Sequence, residues 1–237
     1  IVEPRKKEAA RLKHFRLGFF TRFLFSCLID ADRINSADFE NPGNKKDRFS
    51  GPVEWQLAID RLESHLSGLE VRNEVDVIRN QVSSQVRQRA SDPQGIYTLT
   101  VPTGGGKTFA SIRYALHHAK EHGLDHIYYI IPYTSIIEQN ALIIREILEK
   151  ECDAFPWVLE HHSNLEPESQ TWHAKLSSEN WDAPIIFTTM VQFLEVLFGG
   201  GTRGARRLHN LARSIIIFDE IQCLPVKCVH LFCNGLS

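Results

Sequence analysis

The chain has no apolar run approaching the ~18 residues that would suggest a membrane span, no secretory signal at its start, and no pair of cysteines in a C-x-x-C arrangement. Cysteine itself is scarce. Three of the five, Cys223, Cys228 and Cys233, recur at a five-residue step that turns successive thiols around a helix instead of gathering them. That argues against a zinc site and, with the missing signal and span, predicts a chain of the reducing cytoplasm with no membrane partner. Net charge is also lacking: 27 basic against 29 acidic residues leave −2, so nucleic acid would have to be met by local basic patches. Met190 is the single methionine and the chain starts at Ile1, which suggests a segment of a longer protein.

What is present is ordinary for a folded chain: 43% hydrophobic and 24% charged residues over 237 positions. A basic start leads into "FFTRFLFSCLIDADR", whose apolar spacing predicts a buried helix. The breakers of "ENPGNKKDRFSGP", Glu40 to Pro52, mark a linker. Two amphipathic patterns follow, "VEWQLAIDRLESHL" and "NEVDVIRNQVSSQVRQRA", each with apolar residues three and four apart, as in helices.

From Gly95 onward the pattern changes. Short apolar runs ("IYTLTV", "HIYYIIP", "APIIFTT", "SIIIFDE") alternate with helical stretches ("FASIRYALHHAKEH", "SIIEQNALIIREILEKE", "MVQFLEVLF"). Near-continuous apolar strands between helices predict an α/β fold with a parallel sheet covered on both faces.

Between the first of these predicted strands and the first helix stands "TGGGKT", Thr103 to Thr108. A polyphosphate needs many donors close to its oxygens, and glycines let the backbone approach. The helix that follows offers free N–H groups and a favourable dipole. Gly104, Gly105 and Gly106 are the expected cradle, Lys107 the group that reaches the outer phosphates, and Thr108 a magnesium ligand. Val101 occupies the place of the first glycine in G-x-x-x-x-G-K-[ST], so the sequence has the T-G-x-G-K-T form typical of helicases. A plain glycine-rich turn with an exposed lysine is the alternative, disfavoured by the predicted strand before and helix after.

An enzyme of this type also needs a carboxylate on the metal and a group to orient water. "SIIIFDEIQ" supplies Asp219 for the metal and Glu220 for the water, at a strand's carboxyl end where α/β proteins collect ligands. Ser135 with Glu138 and Thr189 with Gln192 fit capping-box spacing, and helix N-termini at the sheet edge also suit nucleic-acid phosphates. His117 and His118 are adjacent mid-helix, so at most one can face the core. His161 and His162 follow a short strand and favour a structural or DNA-adjacent role over metal binding. The basic run "TRGARRLHNLAR" reads equally as a solvated helix face or a DNA contact.

These residues together resemble the first RecA-like P-loop domain of superfamily 2 helicases. "TVPTGGGKTFASIRYALHHAKEH", "IIPYTSIIEQNA", "LEHHSN", "WDAPIIFTTMVQFLEVLF" and "RRLHNLARSIIIFDEIQCLP", in order from about Gly95 to Pro225, are similar to the CRISPR-associated helicase-nucleases of type I interference systems. The resemblance implies an ATP- and Mg²⁺-dependent translocase on single-stranded DNA, partnered by the RNA-guided surveillance complex. It also implies an HD-type nuclease with a divalent transition metal, whose last metal acid lies in a segment of the form S-x-L-x-x-A-D. "SCLIDADR" fits that form, making Asp32 the expected ligand and Asp30 its neighbour. On this reading residues 1–40 end the nuclease domain, 41–90 are linker and helical connector, and 91–237 are an incomplete first motor domain. Gln222 stands where many relatives carry histidine. Two other readings remain open: a general superfamily 2 DNA or RNA helicase, and a nucleotide- and nucleic-acid-binding module without turnover.

Overall fold

The computed structural model describes residues 6–40, 42–43, 51–162, 179–224, 228–229 and 232–233. Most of the expected linker, Pro225, and the end of "LEHHSN" lie outside the described residues.

Four parallel strands form one sheet in the order β2-β3-β1-β4: β1 (His126–Ile131), β2 (Val158–His161), β3 (Ile185–Thr189) and β4 (Ser214–Phe218). β1 and β3 are buried throughout. Because strand side chains alternate, Ile127, Tyr129 and Ile131 enter one apolar layer and Tyr128 and Ile130 the other.

The first layer packs beneath α2 (Trp55–Ser67), α4 (Lys107–His122) and α5 (Thr134–Leu148); α3 (Glu74–Gln88) lies outside, against α4. Apolar positions three and four apart, Trp55, Ala58, Ile59 and Leu62, give α2 its buried stripe. The Trp55 indole N–H donates to the Leu124 carbonyl at 2.7 Å, tying that helix to the turn before β1. Arg113 of α4 forks onto Glu63 of α2 at 2.5 and 2.7 Å and donates to Ser83 of α3, so one guanidinium joins three helices.

The second layer lies beneath α6 (Met190–Phe198) and α1 (Lys6–Glu40). The spacing of α1 predicts a buried helix, and the structure buries only one face. Phe19 and Phe23 pack against the sheet while Leu17, Phe20, Leu24 and Leu28 remain exposed, because apolar residues occupy both sides of this helix. Arg22 caps the end of α6 by donating to the Val196 carbonyl at 3.1 Å.

Two expectations are corrected. "IYTLTV" forms no strand: residues 96–101 are irregular, and Ile96, Tyr97 and Leu99 are exposed. An apolar run becomes a strand only when it pairs, and residues 96–101 do not pair with β4, whose side away from β1 is unpaired among the described residues. The Ser135–Glu138 capping box is also absent, because α5 begins two residues earlier than that box requires, with extended Tyr133 at the cap position and no side-chain cap. Thr189 does cap α6, accepting from the Gln192 amide at 3.2 Å.

Candidate active site

The loop from Pro102 to Gly106 turns tightly. The Gly105 amide donates to the Pro102 carbonyl at 2.9 Å, and Gly104 and Gly106 both take φ of +80°, where a side chain is strained. A Cβ on Gly105 would stand 2.3 Å from Val101 Cγ1 and 2.9 Å from the Pro102 carbonyl oxygen. Glycine is therefore required sterically here. Gly106 hands the chain to α4, whose first residue is Lys107, so the unpaired N–H groups of that helix start open on the loop.

Asp219 and Glu220 arrive from the far edge of the sheet. The Asp219 amide extends the β1–β4 ladder by donating to the Ile130 carbonyl at 2.9 Å, which fixes where the acids leave β4. The ladder ends there, and Glu220 takes a left-handed φ of +50°, an uncommon state for a residue with a Cβ. That turn places Glu220 Oε1 2.9 Å from Lys107 Nζ. Residues 113 positions apart thus meet at one point.

The charges differ in character. The hydrogen bond from Lys107, with a second from Gln222, holds the Glu220 carboxyl below its usual range, and the same contact raises Lys107. Asp219 moves the other way: burial raises it first, and the neighbouring Glu220 charge raises it further. A half-buried carboxylate lacking full compensation is a place where a divalent cation is favourable. The glycine turn, the helix start, Lys107 and Asp219 therefore fit Mg²⁺ and a polyphosphate, with Thr108 on the first turn of α4 as the adjacent hydroxyl.

Tyr129 was missed by sequence reasoning. It stacks on Phe187 beneath the site, shares a hydrogen bond with Ser111 Oγ at 3.2 Å, and is pushed up to about 12 by burial and by the charge of Asp219. Its signal was a phenol inside a two-sided apolar strand, where the hydroxyl must find a partner. Arg79 was missed as well. From α3 it donates through Nε to the Gly104 carbonyl at 2.7 Å, and a helix facing away from the sheet gave no hint of it.

The remaining predicted residues lie elsewhere. Thr103 is exposed at the loop's start and Asp32 is exposed on α1. No group of three or more His, Cys, Asp or Glu suited to a metal occurs among the described residues. Asp30 is buried instead: Arg206 Nε reaches its Oδ1 at 2.6 Å, and His209 Nε2 and Asn180 Nδ2 approach Oδ2 at 3.4 Å. Within the basic run, Arg206 pairs with Asp30 and Arg207 is buried over the Trp181 ring at 5.4 Å, while Arg203 is exposed and Arg213 meets Asp125 at 2.7 Å in an exposed pair. His118 faces inward onto the Ala90 carbonyl while His117 meets Glu63, the division expected of neighbours on a helix. Burial, and then Arg207, lowers His161 to about 3, so it is neutral at ordinary pH. No described helix is long and apolar enough to cross a membrane.

Comparison with known proteins gives two findings. The profile of the DEAD/DEAH box helicase family matches residues 76–229, a span that contains both the glycine loop and the paired acids. The chain is also 31% identical over 203 residues to the CRISPR-associated nuclease/helicase Cas3 of Haloferax volcanii, a match covering 71% of this chain and 22% of that protein. The chain therefore spans about a fifth of the relative's length.

Proposed function

The chain belongs to the DEAD/DEAH box helicase family, and from that premise we propose that it is the nucleotide-binding part of an ATP-driven single-stranded DNA translocase acting in type I CRISPR interference. The observation that carries the reading is the meeting of Lys107 and Glu220 at the mouth of the glycine loop. It brings a phosphate-binding cation and a water-orienting carboxylate to one place, beside a metal-binding acid.

Gly104, Gly105 and Gly106 admit the phosphates, with Thr103 at the loop's entrance. Lys107 would neutralise the outer charge, and Thr108 and Asp219 would hold Mg²⁺. When bound, the metal supplies charge neutralisation across the phosphates. Glu220 is freed as Lys107 turns to the nucleotide, and then orients water or accepts its proton. Likeness to a protein named as a nuclease as well as a helicase supports assigning residues 1–40 to the end of a nuclease domain. Asp32 would there be a transition-metal ligand, with the surveillance complex as partner. Residues 41–90 would connect to the motor domain over 91–237.

ATP hydrolysis by the complete protein tests the reading. Turnover is expected to rise with single-stranded DNA, and Lys107→Ala is expected to weaken MgATP binding by roughly 2–4 kcal/mol through loss of a charge-assisted contact. Unchanged affinity in that variant refutes the nucleotide assignment. Asp32→Ala is expected to abolish metal-dependent DNA cleavage while leaving hydrolysis intact.

A further inference from the structure

The glycine loop has weak support from its own chain. Residues 96–101, which lead into it, are irregular and lie outside the sheet. Within the loop the turn is closed by one backbone bond, from the Gly105 amide to the Pro102 carbonyl. A loop of alternating left-handed glycines held by so little has no intrinsic reason to keep one shape.

A second bond comes from outside the loop. Arg79 Nε donates to the Gly104 carbonyl at 2.7 Å, so the peptide between Gly104 and Gly105 is fixed at both ends: its oxygen by Arg79 and its N–H by Pro102. The methylene stem of Arg79 also covers Gly106, where a Cβ would stand 3.3 Å from Arg79 Cγ. Arg79 is itself anchored. Its Nη1 donates to Asp76 Oδ1 at 2.9 Å, the Asp76 carboxylate accepts from the Arg72 amide at 3.1 Å, and Asn73 caps the same helical turn through the Asp76 amide at 3.0 Å. The guanidinium thus bridges a capped helix start and a glycine carbonyl with two differently aimed donors, which a lysine cannot do.

We propose that Arg79 is a positioning residue for the phosphate site: it tethers the loop through the Gly104 carbonyl and holds the cradle open-shaped before a nucleotide arrives. The proposal rests on the reading of this loop as a phosphate site. By fixing one peptide plane it sets where the chain enters α4, whose first amides have no partner within the helix and are left for an anion. The order is set in advance, so it is not taken from the binding energy of the ligand.

The test uses hydrogen–deuterium exchange of the loop without nucleotide, together with titration of a fluorescent ADP analogue and Mg²⁺ into the full chain. In Arg79→Ala the Gly105 amide, which donates to the Pro102 carbonyl, is expected to exchange faster, and the analogue to bind about tenfold more weakly, the scale of one charge-assisted bond. The thermal midpoint is expected to stay within a degree or two, since the side chain is 45% exposed. Asp76→Asn is expected to move both readouts in the same direction by less. Arg87→Ala, on the same helix but paired to Glu63, is expected to move neither. Arg79→Lys is expected to restore neither, because a cation alone is not the function. Unchanged loop exchange in Arg79→Ala, or full recovery of affinity in Arg79→Lys, overturns the inference. Lys107→Ala keeps the two readings apart. Full affinity in that variant defeats the nucleotide assignment while the exchange result still judges the tether. Weakened binding there with Arg79→Ala silent defeats the tether alone.

Discussion

Replacing Glu220 by glutamine is expected to tighten nucleotide binding while it stops turnover. Lys107 Nζ sits 2.9 Å from Glu220 Oε1, so a phosphate that recruits the lysine must break that pair. The two side chains are 29% and 36% exposed, and an ion pair so open to water contributes about 0.5–1 kcal/mol. Glutamine keeps a neutral acceptor and removes the charge, which predicts a two- to fivefold lower dissociation constant for MgATP, on the scale of about 1.4 kcal/mol per decade. Hydrolysis is expected to fall by about a hundredfold or more, as for loss of a positioned base. The pair holds Glu220 below its usual range and raises Lys107, so both stay charged across neutral pH. The tightening should therefore be constant there, fade as acid protonates Glu220, and shrink in high salt through screening. Equilibrium titration of a fluorescent ATP analogue at two salt concentrations, beside a steady-state hydrolysis assay, reads all of this. Equal or weaker binding by Glu220→Gln would refute the competition between carboxylate and phosphate for one lysine.

Gly105→Ala is expected to lower nucleotide affinity by about a hundredfold, because its Cβ must displace Val101 and the Pro102 carbonyl and so shifts the loop by about an ångström; near-native affinity would show that the loop is not the site. Asp30→Ala is expected to destabilise the fold by about 1–3 kcal/mol by removing the buried carboxylate on which Arg206, His209 and Asn180 converge, with Arg206 keeping only Glu179, whereas exposed Asp32→Ala should cost under about 0.5 kcal/mol. Equal denaturation midpoints would reject that contrast. His161, lowered to about 3 by burial, binds no proton in the fold near neutrality, while its unfolded form gains one below its ordinary value of 6.5. Stability should therefore fall as pH drops from 6.5, by about 2 kcal/mol at pH 5 from this residue, and His161→Leu should lose correspondingly less on acidification in urea titrations. An identical pH dependence in the two proteins would exclude the histidine as the cause.

The parts of this fold legible in sequence are those fixed by local pattern. β1 and β3 are buried on both faces, so their apolar runs are unbroken and stand out, and α2, α4 and α5 carry regular stripes. The run "IYTLTV" has the same local character as β1 and does not become a strand: it stays unpaired although β4 leaves an edge open, because pairing depends on where the chain is placed, which no window of residues records. The glycine loop and the acid pair were readable as types at fixed spacing. Their meeting through the left-handed turn at Glu220, and the support from Arg79, depend on tertiary placement of α3 and β4. Aspartates two residues apart in "SCLIDADR" look interchangeable as text. The helix rotates them by about 200°, which buries Asp30 and leaves Asp32 in water.

The open side of β4 bears on how the protein behaves at high concentration. A parallel strand with one row of backbone donors and acceptors unpaired among the described residues is a template for another chain, and the half-covered Ile215 and Ile217 make this one adhesive. Arg213 at its beginning and Asp219 and Glu220 at its end bracket five residues without an internal charge. The charged ends limit the length over which a second molecule could add, yet two of them are the acids the proposed chemistry needs. Substituting them to study hydrolysis therefore also removes gatekeepers, and such variants call for light scattering before any loss of activity is ascribed to the site.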